Sequence, residues 1–195
     1  MWTRRDILKA LAAGGGAAAL PFASARTGAA MAPDLEVRLT AEPARARIWQ
    51  GAATDVLHFT GEVLRGRGEA LQPSGSYLGP TLELVRGERV RIRFRNRTGE
   101  PSIVHWHGML VPDEADGHPR HAVPSGGEYI YEFTVRNPAG TYLYHPHPHG
   151  RTGSQVYRGL AGLIIVREAD ERKRGLPQRN QELTLVIQDR RGGQR

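Results

Sequence analysis

Apolar and polar residues alternate in short runs along most of this chain. In residues 88–95, ERVRIRFR, Val90, Ile92 and Phe94 fall on one side of an extended backbone and arginines on the other. Residues 128–135, EYIYEFTV, alternate in the same way. Shorter stretches at 35–39, 55–64, 81–85, 141–144, 162–166 and 183–187 complete the predicted strands. Turn residues separate them: Arg86-Gly87, Arg97-Thr98-Gly99, Ser125-Gly126-Gly127 and Asn137-Pro138-Ala139-Gly140. One short helix is predicted, at 151–158. Many short strands with little helix predict an all-β, Greek-key β-sandwich over residues 35–168. Residues 168–179 are charged and contain a proline, as a linker does, and one further strand at 182–188 follows with no neighbour downstream.

The first 25 residues read differently. A short basic head precedes a weakly apolar Ala/Gly run over 7–23, and Ala23-Ser24-Ala25 gives a small-x-small cleavage pattern. A second candidate cut follows Ala32. The run is too broken by glycine for a stable membrane span. Arg4-Arg5 followed by Asp6-Ile7-Leu8-Lys9 resembles a twin-arginine signal, with Ile7 where that pattern favours Phe. The expected location is periplasmic or secreted.

The chain of 195 residues holds no cysteine, which excludes disulfides, thiolate nucleophiles, zinc ribbons and any copper site built on a Cys sulfur. The net charge of +7 raises nucleic acid as a partner. The arginines are interleaved with glutamates on strand faces, so a solvated surface is expected and no nucleic acid.

Histidine is what remains for metal chemistry. Eight residues are His, and three His-x-His pairs occur at 105/107, 145/147 and 147/149, where about 0.3 are expected by chance. On a strand, residues i and i+2 share a face. His105 and His107 therefore project together, and so do His145 and His147. Two such strands side by side would bring four imidazoles to one small volume, a nitrogen-only donor set that suits copper or zinc. His58, alone in VLHFT, is expected to be structural. His118 and His121 are expected to be exposed in a polar loop. His149 continues the alternation but precedes Gly150, where a strand would end.

At these residues the chain resembles the first cupredoxin domain of multicopper oxidases, the laccase-like enzymes. The likeness rests on GPTLELVRGERVRIRFRNRT, on HWHG at 105–108, on DGHPRHAVPSGGEYIYEF, and on AGTYLYHPHPHGRTGSQVYRGLAGLIIV at 139–166. LTLVIQDRR resembles the strand that opens a second cupredoxin domain, here truncated within 169–195. The resemblance implies that His105 binds a type 2 copper and that His107, His145 and His147 bind a type 3 pair. His149 matches an extra histidine of some bacterial members and is not implied as a ligand. Asp116 matches an acidic residue associated with proton delivery, although an Asp-Gly turn explains it equally well.

In this family, electrons from a reducing substrate enter at a type 1 copper and pass to a trinuclear cluster that reduces dioxygen to water. The type 1 site needs a cysteine, and the cluster takes eight histidines. This chain supplies no cysteine and four of those histidines, so the rest is expected from C-terminal cupredoxin domains, and the chain alone is expected to be inactive. The alternatives are a stand-alone periplasmic copper-binding or copper-delivery protein, and a structural β-sandwich that kept the fold. The reducing substrate is not legible.

Overall fold

The computed structural model describes residues 32–175 and 181–191. The expected signal peptide, 1–25, lies outside them.

Among the described residues, nine strands form two sheets. In the first sheet, β1 (Leu35–Ala46) pairs antiparallel with β2 (Thr54–Arg65) and parallel with β5 (Arg89–Asn96), and β5 pairs antiparallel with β7 (Glu128–Thr134). The second contains β3 (Leu71–Gln72), β4 (Thr81–Val85), β6 (Val104–His107), β8 (Gly140–Pro146) and β9 (Gly162–Arg167), in the spatial order β3-β4-β9-β8-β6. Helix α1 (Thr152–Arg158) links β8 to β9. The predicted β-sandwich is therefore present.

Period-2 patterning builds the core. Leu35, Val37 and Leu39 of β1 and Val90, Ile92 and Phe94 of β5 point inward. They meet Leu82, Leu84, Ile164 and Val166 of the second sheet within one buried cluster. Trp106 sits edge-on to Tyr131, with ring centroids 4.9 Å apart, and 6.0 Å from Tyr144. The aromatic wedge backs β6 and β8 and sets where those strands lie. Tyr144 fits because its neighbours are glycines: a Cβ on Gly162 would lie 2.2 Å from the Tyr144 ring.

The outward face of the first sheet carries the charge. Arg93 meets Glu36 at 2.5 Å and Arg91 meets Glu132 at 2.5 Å, while Arg95 faces Glu128 at 3.6 Å and Arg97 faces Glu42 at 3.7 Å. The alternation read from ERVRIRFR is thus an ion-paired sheet face.

One expectation is corrected. The expected linker opens with a short helix, α2 (Asp170–Lys173). Residues 182–188, expected as a strand, join no ladder among the described residues. The segment is instead pinned by side chains. Glu182 pairs with Arg167, Gln188 is bonded by Tyr77, and the Arg190 guanidinium lies 4.8 Å from the Tyr77 ring centroid. Leu183, Leu185 and Ile187 remain exposed. A strand needs a neighbouring edge, and side-chain anchors do not supply one.

Two outcomes follow from this packing. Gly162→Ala should lower stability by about 3 kcal/mol, the upper end for overpacking, read from the denaturant midpoint at constant slope. Asp34 accepts three hydrogen bonds from Arg89, and the Arg89 guanidinium holds its carboxyl at about 2, below its ordinary 3.8. A depressed carboxyl contributes stability above its unfolded value and loses it as pH falls through the folded one. Asp34→Asn should therefore remove a small acid-sensitive component between about pH 4 and pH 2, measured by denaturation at stepped pH.

Candidate metal centre

The site is assembled by strand register. β6 and β8 pair antiparallel with His105 opposite His145. The ladder continues past β8, where the His147 N–H donates to the Ile103 carbonyl at 2.9 Å. His107 lies two residues along β6 and His147 two along from His145, so all four imidazoles share the outer face, as the spacing predicts. Ring centroids lie 5.4 Å apart for His105–His145, 5.3 Å for His105–His147 and 5.4 Å for His107–His145. The inward residues of the same strands are Val104, Trp106, Tyr144 and Pro146, all buried.

Hydrogen bonds fix which nitrogen each ring offers. His105 donates Nδ1–H to the Asp116 carbonyl at 2.7 Å, and His145 donates Nδ1–H to the Pro146 carbonyl at 2.9 Å. A carbonyl only accepts, so Nε2 of each ring keeps its lone pair. Burial, reinforced by the neighbouring imidazoles His105, His107 and His147, pushes the His145 pKa down, against the opposing pull of the Pro146 carbonyl. The neutral form that ligation requires is thereby favoured.

The donors fit a transition-metal ion. Nitrogens of His105, His107 and His145 all lie within 4.8 Å of one another. An ion about 2 Å from each nitrogen needs donor spacings of about 3.3 Å. The 3.2 Å between His107 Nδ1 and His145 Nε2 already meets that spacing. His147 Nδ1 is buried and has no hydrogen-bond partner. A buried lone ring nitrogen costs about 1–3 kcal/mol, which coordination would offset. An all-imidazole set without sulfur or carboxylate matches copper or zinc.

Buried polar groups hold this arrangement. Gly117 has φ +77°, and a Cβ there would fall 1.9 Å from the Val104 carbonyl oxygen. Only glycine lets the Asp116 carbonyl approach His105 this closely. Asn137 accepts the Leu110 N–H at 2.7 Å and donates to the Gly108 carbonyl at 2.9 Å, locking the turn after β6. Gln155 of α1 accepts from Ser102 at 2.8 Å and donates to the Pro101 carbonyl at 2.9 Å, fixing the entry to β6. Sequence reasoning missed all three. The Asp-Gly pair was their one visible signal, since Asn137 reads as a turn residue and Gln155 as helix surface.

The other candidates lie elsewhere. His58 Nδ1 is 2.7 Å from the Tyr77 carbonyl, a structural contact as expected. His118 is exposed and accepts the Arg120 N–H at 3.2 Å. His121 departs from the expected exposure: it is half-buried, with its ring 5.5 Å from Tyr129 and its Nε2 accepting from Arg120 at 3.0 Å. His149 is exposed in the turn after β8, and both it and the expected ligand His147 stand outside the three-nitrogen group. The Asp116 carboxylate is 3.4 Å from His105 Nδ1, on the side of the ring away from Nε2.

Gly117→Ala should weaken metal affinity by about 10–100-fold by displacing the carbonyl that orients His105. Copper titration of the refolded variant, with folding verified by circular dichroism, measures this.

Comparison with known proteins gives the family. Residues 60–171, more than half of the chain, match the multicopper oxidase family profile. The multicopper oxidase mco of Staphylococcus aureus is 38% identical over 119 residues, which cover 60% of this chain and 26% of that protein. The cell division protein FtsP of Xenorhabdus nematophila is 32% identical over 120 residues, 60% of this chain and 25% of that one. Among solved structures, the McoA multicopper oxidase of Aquifex aeolicus superposes with a TM-score of 0.61 at 40% identity, covering 73% of this chain and 28% of that one. A laccase from Pediococcus acidilactici gives 0.63 at 30% identity over 74% of this chain and 28% of its own. The matched region thus spans about a quarter of each relative. Family profile, sequence relatives and solved structures converge on one placement: this chain belongs to the multicopper oxidase family.

Proposed function

We propose that the chain is the copper-ligating N-terminal cupredoxin domain of a multicopper oxidase. The observation that carries this reading is the cluster of four imidazoles on β6, β8 and the residue just past β8, two of them held by backbone carbonyls with Nε2 left as the donor. In the proposed division of labour, His105 serves a type 2 copper and His107, His145 and His147 a type 3 pair. Copper held by these residues, together with ligands from further domains, would supply the redox chemistry by which dioxygen is reduced to water. The chain's own residues orient the imidazoles, keep His145 neutral and exclude water behind them with Trp106 and Tyr144. Asp116, partly exposed beside His105, would be the proton-delivering carboxylate in this reading. A type 1 site needs a cysteine thiolate, and these 195 residues contain none. The remaining ligands and the electron entry point would come from further cupredoxin domains. Export by the twin-arginine route, with work in the periplasm or outside the cell, completes the proposal. Among the described residues no helix is long and apolar enough to cross a membrane.

A second reading, a copper-binding or copper-delivery protein without oxidase activity, is favoured by one fact: the donors are already arranged within this chain alone. Both readings require copper binding. The chain should bind Cu(II) or Cu(I), and His105→Ala combined with His147→Ala should abolish tight binding in equilibrium dialysis. Unchanged stoichiometry in the double variant would move the metal to the loop histidines. The chain alone should show no steady oxygen consumption with a phenolic substrate and copper. Chelator-sensitive turnover would overturn the assignment of electron entry to another domain.

A further inference from the structure

Helix α1 is bonded on two sides, to the strands that carry the histidines and to the segment at 182–191. Toward the histidines, it begins shortly after His147, and the Thr152 hydroxyl donates to the Pro148 carbonyl at 3.1 Å. Its buried Gln155 grips Pro101 and Ser102, just ahead of β6 and His105. Arg151 and Arg158, at its two ends, both meet Glu100, at 2.8 and 3.6 Å. Toward the segment, Gln188 donates to the Val156 carbonyl at 3.0 Å and Arg190 to the Tyr157 carbonyl at 2.7 Å. The Arg190 guanidinium also lies 4.8 Å from the Tyr77 ring centroid and 5.5 Å from that of Tyr157.

This helix needs such support. It has seven residues, and no side chain caps its N-terminus. A helix that short does not hold by itself, and its last carbonyls lack intrahelical partners. Gln188 and Arg190 bond those carbonyls, as cationic and amide side chains do at helix C-termini. We infer that Gln188 and Arg190 are positioning residues for the metal centre, acting through α1 on the start of β6 and on the turn after His147. When the C-terminal turn of α1 frays, Gln155 loses its fixed base, and the alignment of His105 with His147 loosens with it. The inference rests on the copper-binding reading above.

Cu(II) titration of the full chain, the Cu(II) electron paramagnetic resonance spectrum and amide hydrogen exchange over 152–158 test it together. Gln188 and Arg190 lie outside the buried core cluster, so their variants should fold, which circular dichroism verifies. Arg190→Ala, alone and with Gln188→Ala, should speed exchange in α1 and change the copper hyperfine splitting. The double variant should weaken Cu(II) affinity about three- to thirtyfold. Arg190→Lys keeps a cationic donor for the Tyr157 carbonyl and should recover most of the affinity. Leu183→Ser, on the same segment but 83% exposed, should match the wild type. A lower denaturant midpoint with unchanged affinity and splitting would make the two residues structural anchors only and overturn the inference, leaving the copper reading intact. Equal weakening by Leu183→Ser, or a lysine variant no better than alanine, would also overturn it. No Cu(II) bound by the wild type would overturn both.

Discussion

The register that sets His105 opposite His145 is the constraint on which the rest of the site depends. A slip of β6 by one residue would turn His105 and His107 into the core and Trp106 into solvent. Exposing a large buried aromatic forfeits about 1.5–3 kcal/mol, before the cost of burying polar rings is counted. The register is held from behind as well. The Val104 N–H donates to the buried Tyr131 hydroxyl at 2.9 Å, so β6 cannot slide without leaving a buried donor unpaired. Core packing and metal geometry therefore use one alignment, and the chemistry inherits its precision from the hydrophobic effect.

The glycines near the site belong to the same constraint. Gly162 and Gly79 leave room for Tyr144, whose hydroxyl donates to the Pro80 carbonyl at 2.7 Å. Gly117 brings the Asp116 carbonyl onto His105. In each case a missing Cβ converts a backbone approach into the placement of an aromatic or an imidazole. The stability at risk in one added methyl is of the same order as the aromatic burial it disturbs.

Much of this was legible along the chain, because period-2 alternation needs only neighbours in sequence. β5 and β7 were evident from ERVRIRFR and EYIYEFT, and the His-x-His spacing announced a shared face. Partnership was less legible. Nothing local in ERVRIRFR says that it pairs parallel with β1, more than fifty residues upstream, or that β8 sits between β6 and β9. The run at 182–188 shows the limit from the other side. Its alternation is strand-like, yet Glu182, Gln188 and Arg190 hold it by side chains, and no edge receives its backbone. His121 read as exposed because its loop is polar, while Tyr129, which half-covers it, is brought there by tertiary structure. Gln155 and Asn137 stayed hidden because a buried polar side chain is recognised by its partners, which lie far off in sequence.

The protonation pattern of the cluster carries the argument one step beyond placement. His105 and His145 each commit Nδ1–H to a backbone carbonyl, so their ligating nitrogens are set by main chain that cannot titrate. His107 has no such carbonyl; its Nδ1 contacts His145 Nε2 at 3.2 Å instead. Since His145 Nε2 holds a lone pair, the proton between them belongs to His107, and an ion entering there displaces it. His147 stands at the opposite limit, with its Nδ1 buried and unbonded. The main chain thus orients two of the four rings, while His107 leans on a neighbouring imidazole and the His147 Nδ1 has no partner. That division separates ring placement, which the backbone carries, from ring satisfaction, which an incoming ion would supply.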